Sequence, residues 1–301
     1  MELAQIAFHQ TMVMLIIIFI GVISNKTGVI TSETNQRLSD ILVKIVNPMV
    51  IFVSFQMKFD VKVLKGLAAV FILAFFAHFI GIAVAHFVAK DQVESFSMTY
   101  SNCGFMGIPL IRALLGSQGV VYLAAYIAVF NLLAWTHGIS LMSGQKSSNL
   151  SSVLKQPAII ALILGFAAFL LRIDLPSILL EPIEVVSDMN TPMAMLIAGV
   201  TIAQSDLADA LKNARNYFLV VCKLFMIPAI FALACFWIPV DNMVYITAVM
   251  ATACPSAAMG TIFAVRYHRG AEKASQLFTM TTTLSMGTLP VMMTFVGFLR
   301  G

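Results

Sequence analysis

Charge is what this chain has least of. Lysine, arginine, aspartate and glutamate make up 11% of its 301 residues, against 60% hydrophobic ones, and the mean hydropathy is +0.94. Soluble domains carry roughly a quarter charged residues, so an ordinary water-soluble fold or enzyme is excluded. The surplus of positive charge is a formal +4 on the segments between apolar runs, which asks for no nucleic-acid partner. Cysteine is equally thin: Cys103, Cys222, Cys235 and Cys254 lie in or beside apolar runs without ligand spacing, so neither disulfides nor a zinc site is expected. No paired-aspartate motif and no Ser/His or Asp/Asp arrangement stands well within those runs, which argues against an intramembrane enzyme. No metal or cofactor is expected.

What the chain does have is apolar length. A bilayer-spanning helix needs roughly 17 to 25 apolar residues, and runs near that length fall at 6–24, 40–57, 67–89, 95–115, 119–140, 157–171, 183–204, 215–238, 243–267 and 275–299. The expectation is an all-α polytopic membrane protein of ten transmembrane helices. The first run lacks a basic start and a small-residue cleavage pattern, so it reads as a span rather than a signal peptide. Lysines and arginines divide ten to six between alternate loops, which puts both termini outside; the Lys58–Lys65 cluster pulls the other way.

Two of the runs are interrupted. One holds Ser101-Asn102-Cys103-Gly104-Phe105-Met106-Gly107-Ile108-Pro109-Leu110, the other Thr252-Ala253-Cys254-Pro255-Ser256. Backbone freed from a helix at membrane depth survives only inside protein or along a cavity. Proline removes a donor and keeps the preceding residue out of the helical region, so Ile108 and Cys254 are expected to be extended. Half-helices starting near Leu110 and Ser256 would aim their positive ends at the break, and such ends bind anions. Gly104 and Gly107 would permit close backbone approach, and Asn102 offers an amide. The candidate substrate-binding residues are therefore Asn102, Cys103, Gly104, Gly107, Ile108, Pro109, Cys254, Pro255 and Ser256. Asn131 and the polar residues Thr279, Thr281, Thr282, Thr283 and Ser285 are candidates for the same cavity, with helix-to-helix hydrogen bonding as the alternative for each.

The chain also aligns with itself. At an offset of 144, Gly21, Pro48 and Met49 meet Gly165, Pro192 and Met193; at 146, Pro109 meets Pro255. Gly116 and Leu123 meet Gly270 and Leu277 if two helical turns are added after the second break. Five spans per half would make the repeats inverted, a transporter hallmark. The halves are 1–140 and 157–301, joined by a polar segment, 141–156. Charged residues inside spans are few. Lys223 is a coupling candidate by its depth, although snorkelling to the interface is the preferred reading. Asp188 is a second coupling candidate, with helix capping preferred. His78 and His86 share a face and read as packed or interfacial residues rather than a proton relay.

Ser101-Asn102 with Met106-Gly107-Ile108-Pro109-Leu110, and Ala253-Cys254-Pro255-Ser256 through Ile262-Phe263-Ala264-Val265-Arg266-Tyr267, closely resemble the fourth and ninth helices of the auxin efflux carrier family, with Asn47-Pro48 in register. The resemblance implies the inverted-repeat fold of the bile-acid-transporter type. Spans 1, 2, 6 and 7 would form a scaffold, often dimeric, and spans 3–5 and 8–10 a mobile transport domain crossing at Pro109 and Pro255. It further implies a carboxylate bound near Asn102 and elevator-type movement. Two departures, the absence of a long central hydrophilic loop and Ser256 where a glutamine is expected, put auxin specificity in doubt; bacterial relatives are associated with malate or malonate. The expected function is secondary transport of small organic anions across the bacterial inner membrane, proton-coupled or uncoupled. A sodium-coupled symporter of the bile-acid type and a non-transporting membrane sensor or channel are the alternatives.

Overall fold

The computed structural model describes residues 2–144 and 153–300; most of the expected joining segment, 145–152, lies outside the described residues. The described chain is helical throughout, without a named strand. Its helices are α1 (Glu2–Lys26), α2 (32–54), α3 (Val61–Val88), α4 (Gln92–Thr99), α5 (103–115), α6 (117–143), α7 (Pro157–Leu171) and α8 (Ser177–Ala203), then α9 (Leu207–Lys212), α10 (Ala214–Cys235), α11 (Asn242–Ala253), α12 (Met259–Arg266) and α13 (Ala271–Arg300). Among the described residues, six continuous stretches are long and apolar enough to cross a membrane: α1, α3, α5 with α6, α8, α10 and α13. Their outward faces carry Ile16, Phe19, Ile72 and Phe79, all more than 45% exposed. So much apolar surface is tolerable only where lipid covers it.

α2 starts eight residues before its apolar run. Thr31 caps it, its hydroxyl accepting from the Thr34 N–H, and the pairs Glu33–Arg37 and Asp40–Lys44 bridge successive turns at 2.7 and 3.1 Å. An exposed helical turn rests on such local contacts where packing is absent.

Three of the four π-helical turns stand immediately before a proline: Leu42–Val46 before Pro48, Cys103–Gly107 before Pro109, and Cys222–Met226 before Pro228. A proline ring collides with the carbonyl four residues back and offers no N–H to it. One widened turn relieves both faults without ending the helix. This overturns the expectation for Ile108, which is helical at φ −57°, ψ −57°. Cys254 is extended as expected, at φ −57°, ψ 150°. No wide turn precedes Pro255, and there the helix breaks.

Close helix contacts run through glycine. A Cβ on Gly199 would collide with the Ile18 carbonyl, and one on Gly21 would come within 2.5 Å of the Leu196 carbonyl. α1 and α8 therefore touch backbone to backbone. Gly165 of α7 instead makes room for a side chain, the ring of Phe55 just beyond α2, which would lie 2.9 Å from a Cβ there.

Candidate functional site

The two breaks meet in the interior. Ser101 and Ser256 form an isolated antiparallel bridge: the Asn102 N–H donates to the Pro255 carbonyl at 2.7 Å, and the Ala257 N–H to the Tyr100 carbonyl at 2.9 Å. Each stretch of freed backbone is thus satisfied by the other, which is how non-helical chain persists in an apolar core. The crossing lies at Ser101–Asn102 on the first strand, not at Pro109. Pro109 sits one helical turn and more into α5, at the start of its regular part, because the π turn absorbs it.

Side chains reinforce the crossing. The Ser101 hydroxyl donates to the Thr252 carbonyl at 2.9 Å, and the Ser256 hydroxyl to the Ser97 carbonyl at 2.8 Å. The Ser256 N–H donates to Thr281 Oγ1 of α13 at 3.1 Å, and Tyr126 of α6 pairs with Thr252 Oγ1 at 3.1 Å. Asn102 is 6% exposed and stands at the N-cap of the Cys103–Gly107 turn, yet its side chain does not cap it. Cys103 and Cys254 face the same interior: a Cβ on Gly107 would lie 3.5 Å from Cys103 Cβ and 3.5 Å from Cys254 Sγ. Gly107 is therefore packed at ordinary contact. Gly104 is not: among the described residues, apart from its chain neighbours and its own helix backbone, one heavy atom, Asn47 Nδ2, comes within 4 Å of its would-be Cβ, at 3.9 Å.

Lys223 does not snorkel. It is 1% exposed and its ammonium donates to Ser101 Oγ at 2.5 Å. The sequence placed it two turns into a span, where a long side chain could have reached the interface; the π turn at Cys222–Met226 and the packing of α10 carry it inward instead. The crossing therefore holds a buried cation beside the helix ends and Asn102. Among the described residues, no carboxylate lies within ion-pair distance of it.

The other candidates disperse. Asp188 caps nothing: it ends the regular helix Ser177–Asp188 and pairs with Arg112 at 3.0 Å, its side chain 69% exposed. Asn131 is buried on α6, but that helix reaches the crossing through Tyr126. His78 is buried between the Tyr100, Tyr126 and Phe130 rings and bonds the Ala74 carbonyl at 2.7 Å; His86 lies against Phe87. Of the α13 residues only Thr281 joins the crossing, while Thr279 bonds Ser205 and Ser285 bonds its own helix. Tyr126 and Ser97 carry no sequence signal of their role. Away from the crossing, an apolar groove of about 420 Å³ lies against Pro48, Phe52, Pro157 and Leu164, a surface suited to lipid rather than to an anion.

A second polar cluster ties helix ends together. Glu94, its side chain 1% exposed, receives Arg215 at 2.6 Å and Lys273 at 2.5 Å, and the Lys90 N–H at 2.8 Å. Lys273 also pairs with Asp91 at 2.6 Å, and Arg215 bonds the Val88 carbonyl. Burial pushes the Glu94 carboxyl up, but these hydrogen bonds and charges outweigh it and hold it at about 2.

Buried crossing breaks inside a bundle of membrane-length helices define a polytopic membrane protein of the transporter class. The match to known proteins agrees: residues 6–293 fit the model of the membrane transport protein family, and the chain belongs to that family, the one of the auxin efflux carriers. It is 26% identical over 218 residues to a Rhizobium meliloti protein named "Putative malonate transporter", covering 67% of this chain and 66% of that one. It is 23% identical to an uncharacterized transporter of Methanocaldococcus jannaschii, over 66% of this chain and 70% of the relative. An uncharacterized transporter of Methanothermobacter thermautotrophicus is 21% identical over 92% and 94%.

Proposed function

We propose that this chain is a secondary transporter of small organic anions, with the carboxylate held where the two broken helices cross. The observation that carries the reading is the buried Lys223 ammonium on Ser101, at the bridge to Ser256. A buried cation without a carboxylate partner is costly. Here it stands beside α5 and α12, whose positive ends face the same point. An anion is the ligand that relieves all three, and Asn102 adds an uncommitted amide. The relative named for malonate fits this class.

The same ammonium weighs against sodium coupling, since a metal ion at the crossing would meet a like charge in a poorly screened interior. Proton coupling, where present, is assigned to Lys223 rather than to the exposed Asp188.

The reading takes ten spans in two inverted repeats, counting α4 with α5 and α11 with α12. It is supported by which loops meet. Segments following spans 3, 7 and 9 converge in the Glu94 cluster. Those following spans 2 and 6 meet through Leu175 N–H to Gln56 at 3.2 Å and Arg172 over Phe59. Those following spans 8 and 10 meet through Arg300 and the Val240 carbonyl. Symmetric contacts agree, α1 on α8 matching α7 on α2. Gly116 and Gly270, which the self-alignment paired, both take positive φ, 65° and 53°, before a long helix. The two extra turns belong before the second break, where α9 is inserted, since the bridged serines are already 155 residues apart.

Elevator movement of spans 3–5 and 8–10 against a scaffold of spans 1, 2, 6 and 7, a homodimer through that scaffold, the bacterial inner membrane and outside termini complete the proposal. The test is uptake of labelled malonate, malate and auxin-like carboxylates into proteoliposomes, with proton and sodium gradients imposed separately. Accumulation against a gradient is expected; dissipation only would indicate a channel, and binding without flux a sensor.

A further inference from the structure

We infer that Asn47 and Asn190 form a second, fixed half of the substrate site, which reads an O–H group on the transported anion; the inference rests on the crossing being where the carboxylate binds. The two asparagines begin the regular helical segments that carry Pro48 and Pro192. They are 8% and 1% exposed, and the Asn190 amide N–H donates to Asn47 Oδ1 at 2.6 Å. One hydrogen bond between two amides leaves two groups unspent, the carbonyl of the donor and the NH2 of the acceptor. Asn190 Oδ1 has no partner. Asn47 Nδ2 faces Gly104, and among the described residues no other atom outside Gly104's chain neighbours and own helix backbone comes within 4 Å of the position a Cβ would take there.

The pair thus offers one donor, Asn47 Nδ2, facing the space beside Gly104, and one buried acceptor without a partner, Asn190 Oδ1. A buried acceptor left unmet costs about 1–3 kcal/mol. A carboxylate could accept from Asn47 but could give nothing to Asn190. An O–H group does both. It can belong to a hydroxyl carbon or to a protonated second carboxyl, so lactate and malonate carry the same recognition chemistry, and propionate, with a carboxylate alone, does not. Because Asn47 and Asn190 sit on α2 and α8, outside the crossing helices, they would select substrate at one position of the cycle while Lys223 and Asn102 hold it throughout.

The experiment is equilibrium binding of labelled malonate, lactate and propionate to the full chain in lipid nanodiscs. Wild type should bind the first two at least tenfold more tightly than propionate at pH 5. Asn190→Leu should remove that preference and leave propionate unchanged. Gly104→Ala, whose methyl fits at 3.9 Å from Asn47, should weaken malonate and lactate severalfold without harming the fold, and so decides the matter if Asn190→Leu fails to fold. Equal losses for all three anions in Asn190→Leu, or no effect of Gly104→Ala, would overturn this inference while leaving the transport reading in place. No binding of any anion to wild type would remove both.

Discussion

Two charges are buried to the same degree in this protein and treated in opposite ways. Glu94 is surrounded by Arg215, Lys273 and a backbone N–H. Lys223 has one hydroxyl, that of Ser101. The first is compensated beyond its own charge, and the groups around it join α4, α10 and α13 at one end of the bundle. The second is left short of an opposite charge at the point where two helices are broken. A saturated charge has nothing left to bind and is spent on holding helices together. One kept short retains capacity for something that comes and goes.

The largest effect expected from this contrast is on stability at the Glu94 end. Arg215→Gln strips one cation and its two charged hydrogen bonds from Glu94, which keeps Lys273, at a cost of about 3 kcal/mol. Thermal unfolding in detergent should show a markedly lower midpoint, while anion affinity of the folded fraction stays unchanged. At the crossing the pattern should reverse. Lys223→Met removes a charge-assisted contact of about 1.5–3 kcal/mol, so anion affinity should fall roughly 10- to 100-fold. The melting point should hold or rise, since an unpaired buried charge is replaced by an apolar chain of similar length. Should Lys223→Met unfold the protein and spare binding in what remains, the contrast would be wrong.

A smaller effect comes from pH. The Glu94 carboxyl is held at about 2, below its ordinary 4.5, because its hydrogen bonds to Arg215 and Lys273 outweigh its burial. Its folded value is depressed, so its stabilisation is complete above about 4.5 and is lost as pH falls toward 2. Only the upper edge of that window is accessible to most detergent-solubilised proteins. Melting midpoints should therefore decline modestly from pH 5 to pH 3.5 in wild type, with a shallower slope in Glu94→Gln. Parallel slopes would mean that other carboxylates carry the acid sensitivity.

An all-helical chain with membrane-length spans was legible because apolar length is a local signal, whereas the start of α2 at its Thr31 cap lies outside the apolar run and was not. Pro255 was legible as a break because Cys254 before it is extended. Pro109 misled by the same rule: its widened turn at Cys103–Gly107 is a tertiary solution that sequence does not announce, so the crossing lies at Ser101 instead. Lys223 was legible as a charge at depth. Its direction was not, because snorkelling and burial differ only in which way α10 faces, and packing decides that. Tyr126, Ser97 and Asn190 are ordinary residues in ordinary helices, and only the fold brings the first two to the crossing and the third to Asn47.

The smallest effect tests whether the crossing's own hydrogen bonds serve shape or stability. Thr281→Val is nearly isosteric and leaves the buried Ser256 N–H without its acceptor, at a cost of about 1 kcal/mol. If the bridge were a structural staple like the Glu94 cluster, that cost would appear in the melting point alone. The bridge is already closed by the Asn102 and Ala257 N–H groups, however, and Ser256 keeps its hydroxyl bond to Ser97. The fold can therefore absorb the loss, whereas the position of Ser256, and of the α12 end behind it, cannot be kept as well. Anion affinity should drop a few-fold while the melting point falls only by about 2 °C. A lower melting point with unchanged affinity would place the crossing on the structural side of the comparison and leave Lys223 as its one functional group.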